Sequence, residues 1–253
     1  MSVIKVLIPM SDYGHDPTET AVAFAAFKEA RFEVQFATEN GNTPACDKKL
    51  LEGFTQKLLG ASKPTLEAYK DMCNTSEFKN PLSWSSPDFT LETYNLVYIP
   101  GGHDKGVRQL LDSAIIRTHL ATYFPMTRKP STRSVSAVCH GVQVLAEAEA
   151  SDGKSILHKC TTTSLPTKFE QLAYWSTKVF MGDYYKTYGS GSANVEEVVR
   201  KRLENPDKQF KSSLIPKPFV VQDDTYNYLS ARFPGDVQLL AEETIALVQS
   251  TMS

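Results

Sequence analysis

The sequence predicts a doubly wound α/β fold, a mostly parallel sheet sandwiched by helices, with a nucleophile elbow and surface insertions. Three observations carry this reading. First, the apolar run Val3–Ile8 is followed by an apolar-rich helical stretch from Asp16 to about Ala30 and then by an alternating run, Phe32–Ala37. A strand-helix-strand crossover of this kind implies a parallel pair. Second, Tyr94–Ile99 reads as a strand that stops at Pro100-Gly101-Gly102. Third, Ser134–Val138 reads as a buried strand that runs without a loop into a helix over Gly141–Ala150, with Cys139 at the junction.

The remaining elements follow from the same patterns. Asp16-Pro17-Thr18-Glu19 is a helix-start signature, with proline suited to the first helical position. Residues Asn42–Pro87, rich in proline, read as an inserted excursion over the surface, with helical patches near Asp47–Leu59 and Thr65–Met72. Val107–Tyr123 is read as one helix and Ile156–Thr163 as a strand. Lys168 to about Asp183 is aromatic and helical, and Gly182–Gly189 is a loop. Val195–Leu203 is a short charged helix, Phe219–Gln222 and Tyr226–Ser230 are strands, and Asp236–Gln249 is the closing helix. The whole reads as a single domain carrying the insert and a variable aromatic segment over about 174–217.

Composition narrows the function classes. The 253 residues are 41% hydrophobic and 22% charged, ordinary values that argue against disorder. A net charge of −2 leaves no basic footprint for nucleic acid or an anionic membrane. No apolar run reaches the roughly 18 residues of a membrane span, and the opening segment reads as a strand rather than a secretory leader. The four cysteines, Cys46, Cys73, Cys139 and Cys160, form no CxxC pair. Neither a disulfide framework nor a structural zinc site is expected, and a reducing, cytoplasmic setting fits best.

The chemistry concentrates at Ala137-Val138-Cys139-His140-Gly141. A strand that turns at once into a helix needs small residues on either side of the turn, because larger ones collide with the neighbouring backbone. The side chain at the turn then stands above the sheet at a helix amino end, where free N–H groups and the helix dipole favour a thiolate. The same residues also suit a buried structural cysteine. His140 either faces the cleft or caps the helix. Gly101-Gly102-His103, at the end of another strand, lets backbone approach a ligand and supplies N–H groups, although a plain turn has the same composition. Glu19 is either a capping residue or a proton carrier beside the thiol.

Taken together, these segments resemble the ThiJ/PfpI superfamily, also described as class I glutamine amidotransferase-like. Val3–Pro9 is similar to its opening strand, Glu19 to its first-helix glutamate, Tyr94–Gly102 to its strand ending in PGG, and Ala137–Gly141 to its AVCHG elbow. The Cys-His pair resembles the heat-shock, glutathione-independent glyoxalase branch and the PfpI peptidase-like branch. The resemblance implies a flavodoxin-like fold and a homodimer. It makes Cys139 the nucleophile, His140 its partner and Glu19 the proton carrier, with Gly102 and the His140 N–H as oxyanion donors. Glu170 is the nearest candidate for a third acid, and His103, Asp183 and Tyr184 are candidate pocket residues. The implied substrate is a small molecule, with no cofactor and no metal. A glyoxalase-like conversion of methylglyoxal to lactate through a Cys139 hemithioacetal leads. The alternatives are a cysteine hydrolase or hydratase and a non-catalytic stress chaperone or oxidant sensor. No histidine follows Tyr185, which argues against glutamine amidotransfer.

Overall fold

A computed structural model describes residues 3–53, 56 and 60–252. Among the described residues there are nine short strands: β1 Lys5–Pro9, β2 Tyr13–His15, β3 Glu33–Thr38, β4 Ala45–Cys46, β5 Leu82–Ser83, β6 Leu96–Ile99, β7 Ser134–Val138, β8 Val220–Gln222 and β9 Tyr228–Ala231. Seven of them make one sheet in the order β5-β3-β1-β6-β7-β9-β8. Every pairing in it is parallel except that of β8 with β9. The central strands β6 and β7 are buried at every residue, as expected when both faces of a parallel sheet are covered by helices. The Pro17–Glu29 and Val237–Thr251 helices pack on each other. The core therefore joins the beginning and the end of the chain.

Two expected elements differ. The stretch Val107–Tyr123 is broken into a 3-10 turn, Arg108–Leu111 and Ala114–Tyr123. The cause is local: the Ser113 side chain accepts from the Ile116 N–H and starts a new helix. Residues Ile156–Thr163 do not form a strand: 156–159 turn, and Thr162 makes an isolated bridge to Phe210. The place beside β7 is taken by β9, from the far end of the chain. The Thr163 N–H is satisfied instead by the Ser230 hydroxyl at 2.9 Å, so this segment lies against β9 without joining the ladder.

The insert begins in a second, two-stranded sheet made by β2 and β4. Strand β4 runs parallel to β2, and the Asp47 N–H donates to the His15 carbonyl at 3.1 Å. A short helix, Lys48–Leu51, follows under an Asp47 cap. Of the helical patch expected over Asp47–Leu59, residues 54, 55 and 57–59 lie outside the described residues. The second expected patch is the Lys63–Asn74 helix, which packs against Pro17–Glu29. Among the described residues, no helix is long and apolar enough to cross a membrane.

Candidate active site at the Cys139 elbow

The site forms where β6 and β7 end side by side, with Ile99 paired to Ala137. Past Val138 the chain turns sharply: Cys139 has φ +57°, left-handed backbone that a non-glycine residue seldom adopts. Its N–H donates to Ala231 of β9 at 3.2 Å, and the Gly141–Glu147 helix starts two residues later. Gly141 is required by contact rather than by its dihedral angle. A Cβ there would lie 2.3 Å from the Ile99 carbonyl oxygen and 2.8 Å from that of Pro100.

Glu19 reaches the same place from the first helix. Asp16 caps this helix, its carboxylate accepting from the Thr18 and Glu19 N–H groups at 2.7 and 3.1 Å. A capping box would return the Glu19 side chain to the Asp16 N–H, but that N–H donates to the Gly101 carbonyl at 3.0 Å. Glu19 Oε2 instead accepts from the Gly101 N–H at 2.7 Å. The Tyr98 hydroxyl ties the helix down further by donating to the Glu19 carbonyl at 2.7 Å. A Cβ placed on Gly101 would lie 3.0 Å from Glu19 Oε2, 3.1 Å from Cys139 Cβ and 2.7 Å from the His140 nitrogen. Glycine at this position is what allows the carboxyl, the thiol-bearing carbon and the elbow N–H to crowd together. Glu19 Oε1 is buried without a conventional hydrogen-bond partner, and the Glu19 carboxyl interacts with the Cys139 side chain.

The electrostatics follow from this burial. Desolvation, helped by the neighbouring Asp16, pushes the Glu19 carboxyl well above the usual carboxylate range, which favours its protonated form. Asp16 itself is pushed up to about 6, again chiefly by burial. Burial and the Glu19 charge raise the Cys139 thiol, while the His140 N–H acting on the sulfur opposes the rise. The helix amino end therefore does not by itself deliver a standing thiolate. A protonated Glu19 removes the carboxylate charge that opposes one.

His140 lies beside the sulfur, with its Nδ1 3.4 Å from Cys139 Sγ. Burial holds its imidazole well below the ordinary value, as do the nearby His103 and Lys186 charges. Its Nε2 is 3.1 Å from the Thr187 hydroxyl. His103 packs edge-on against the His140 ring at 5.1 Å and against Tyr185 at 4.9 Å, and burial lowers it to about 4. One ligand atom each from His103, Cys139 and His140 lie within 4.8 Å of one another. Two imidazoles and a thiol are the donor set that borderline ions such as zinc prefer.

The other expected site residues are placed as follows. Gly102 has φ +154° and leaves no room for a Cβ, which would meet the Gly14 carbonyl oxygen at 2.5 Å. Glu170 accepts from Lys186 Nζ at 3.1 Å and from the Val195 N–H at 2.9 Å; the partner of His140 Nε2 is Thr187. Asp183 pairs with Lys105 on the surface, at 3.1 Å. The Tyr184 hydroxyl donates to Asp47, which joins the aromatic segment to the insert near Asp16. Trp175 is exposed. Tyr185 and Thr187 are thus the residues of this segment that reach the His103–His140 pair. Sequence reasoning misses Thr187, because a lone threonine in a tyrosine-rich loop carries no pattern.

Comparison with known proteins agrees with this architecture. An uncharacterized protein of Schizosaccharomyces pombe is 30% identical over 250 residues, which is 98% of this chain and 85% of that protein. Among solved structures, the Francisella tularensis Rapid Encystment Protein 24 KDa is similar with a TM-score of 0.68 at 15% identity, over 97% of this chain and 99% of that one. Glyoxalase III from Candida albicans is similar with a TM-score of 0.65 at 19% identity, over 96% and 97% of the two chains. At such identities the likeness shows the fold alone. The family match over residues 10–214, which takes in the Glu19 helix, the Gly101 strand end and the Cys139 elbow, establishes that the chain belongs to the ThiJ/PfpI family-like group.

Proposed function

We propose that this protein is a cysteine-dependent enzyme acting on small reactive carbonyls, converting methylglyoxal to lactate without a cofactor. The observation that carries the reading is the Cys139 sulfur set between His140 Nδ1 at 3.4 Å and a buried carboxyl, Glu19, whose Oε1 has no conventional partner. A neutral imidazole and a protonated carboxyl on either side of a thiol suit a sequence of proton exchanges. The similarity in fold to a glyoxalase III adds support.

As sulfur adds to the aldehyde carbon, His140 takes the thiol proton and Glu19 gives its proton to the aldehyde oxygen, forming a hemithioacetal. The Glu19 carboxylate then removes the C1 proton, and His140 protonates the C2 oxygen to give an enediol. Glu19 returns its proton to C2 while His140 takes the C1 hydroxyl proton, leaving a thioester of lactate on Cys139. Water adds to the thioester carbonyl and gives a proton to Glu19, and the departing sulfur recovers its proton from His140. Methylglyoxal and one water become lactic acid. Oxidation and reduction occur between neighbouring carbons, so no external electron acceptor is needed. Donors for the transient oxyanion would be the His140 and Gly102 N–H groups.

A fully buried thiol held above its ordinary value gives less support to oxidant sensing, which needs thiolate character and access. A homodimer remains part of the proposal. Its support is the exposed face of the Thr167–Met181 helix formed by Leu172, Trp175 and Val179, and sedimentation of a Val179→Asp variant tests it. The catalytic reading is tested by incubating the protein with methylglyoxal and measuring lactate enzymatically, beside Cys139→Ser and a panel of amide substrates. Lactate from the parent but not from Cys139→Ser is expected. Absence of lactate, or equal rates for both, overturns it.

A further inference from the structure

We infer that Thr187 is a positioning residue that holds the proton of His140 on Nε2 and so turns the Nδ1 lone pair onto the Cys139 sulfur. A threonine hydroxyl has a single proton to donate and two lone pairs with which to accept. Thr187 Oγ1 has two partners, the His103 carbonyl oxygen at 3.0 Å and His140 Nε2 at 3.1 Å. A carbonyl can only accept, so the hydroxyl proton goes to His103. Toward His140 the same oxygen must then accept, which places a proton on Nε2. A neutral imidazole carries one ring proton, so Nδ1 is left as a bare acceptor 3.4 Å from Sγ.

The opposite tautomer fails the same account. If the hydroxyl donated to Nε2, two acceptor oxygens would face each other at 3.0 Å in a buried site with no proton between them. Nδ1 would then carry a proton aimed at the sulfur, and His140 could not receive one from the thiol.

The fold holds Thr187 in place from both sides. Its side chain is nearly fully buried, and β-branching restricts its first torsion. The preceding residue, Lys186, is buried against Glu170 at 3.1 Å, the Ser192 carbonyl at 3.3 Å and Asn194. Glu170 therefore affects His140 by anchoring the loop that carries Thr187, and the contact with the ring is made by an uncharged hydroxyl. Unlike a carboxylate, a hydroxyl sets the tautomer without also favouring a standing imidazolium.

The inference rests on the reading of Cys139 and His140 as a working pair, and the test separates the two. Long-range nitrogen–proton correlation spectra of protein labelled with 15N-histidine read the ring tautomer directly and need no substrate. The Nε2–H form is expected for His140 in the parent and in Thr187→Ser, with loss of that single form in Thr187→Val. Lactate formation from methylglyoxal, measured on the same samples, is expected to fall about 100-fold in kcat for Thr187→Val with KM little changed, and to recover in Thr187→Ser. If the parent makes no lactate, the catalytic proposal fails while the spectra still decide the tautomer. An Nδ1–H form in the parent, or an unchanged Nε2–H form in a folded Thr187→Val, overturns the inference. If Thr187→Val does not fold, the decision rests on the parent and Thr187→Ser spectra.

Discussion

Replacing Gly141 by alanine tests whether the elbow is shaped by contact. The added Cβ would sit 2.3 Å from the Ile99 carbonyl oxygen and 2.8 Å from that of Pro100, where ordinary van der Waals contact begins near 3.4 Å. Both obstacles are main chain at the end of a central strand, so no side chain can swing aside. About 1 Å of separation must open between β6 and the start of the Gly141–Glu147 helix. Overpacking of this kind costs about 1–3 kcal/mol, and in a chain this long each kcal/mol lowers the melting temperature by roughly 2–4 °C. A drop of roughly 2–12 °C is expected. The same shift moves Cys139 relative to Gly101 and the Glu19 carboxyl bonded to it at 2.7 Å, and misplacement by about 1 Å costs about 100-fold in rate. Gly153→Ala is the control. Its φ is +75° with nothing within 4 Å, so it carries only the local strain of left-handed backbone, about 1–2 kcal/mol, and leaves the site untouched. Thermal melts and iodoacetamide labelling of Cys139, mapped by peptide, read both effects. A Gly141→Ala protein that melts within 1 °C of the parent, by roughly the same scale, and labels at the parent rate would refute this account of the elbow.

Three further predictions concern Glu19 and His140. Glu19→Gln keeps an acceptor for the Gly101 N–H but cannot exchange a proton, so the fold should persist while kcat for lactate formation falls by about 100-fold or more; near-parental turnover would assign Glu19 to structure alone. His140 must be unprotonated to accept the thiol proton, and burial with its His103 and Lys186 neighbours holds it well below its ordinary 6.5. The acid limb of kcat/KM should therefore lie well below 6.5, with activity lost only as pH falls through that lower value. His103→Phe keeps a ring in place but removes the neighbour whose protonated form opposes His140 protonation, so the limb should move to higher pH. A limb near 6.5 in the parent, or a shift to lower pH in the variant, contradicts the assignment.

Much of this protein is legible in its sequence because the information is local. The run Ser134–Val138 coincides with β7, and Asp16-Pro17 marks the start of the first helix within a residue. Strand pattern, capping chemistry and the steric demand of a sharp turn each act over a few neighbouring residues, so the order of residues around Cys139 is enough to point to an elbow. Features that depend on distant competition are not legible. Residues Ile156–Thr163 have the composition of a strand, but the place beside β7 goes to β9, roughly seventy residues later in the chain. Glu19 has the spacing of a capping residue, but the Gly101 N–H claims its carboxyl across 82 residues. Thr187 has no signature at all, and its relation to His140 exists only because the Lys186–Glu170 pair anchors the loop across the site. The sequence by itself determined most of the elements and pointed to Cys139 as the residue at the elbow. The tertiary structure decided which groups are brought against Cys139 and how deeply they are buried, because distant contacts and burial are properties of the assembled fold.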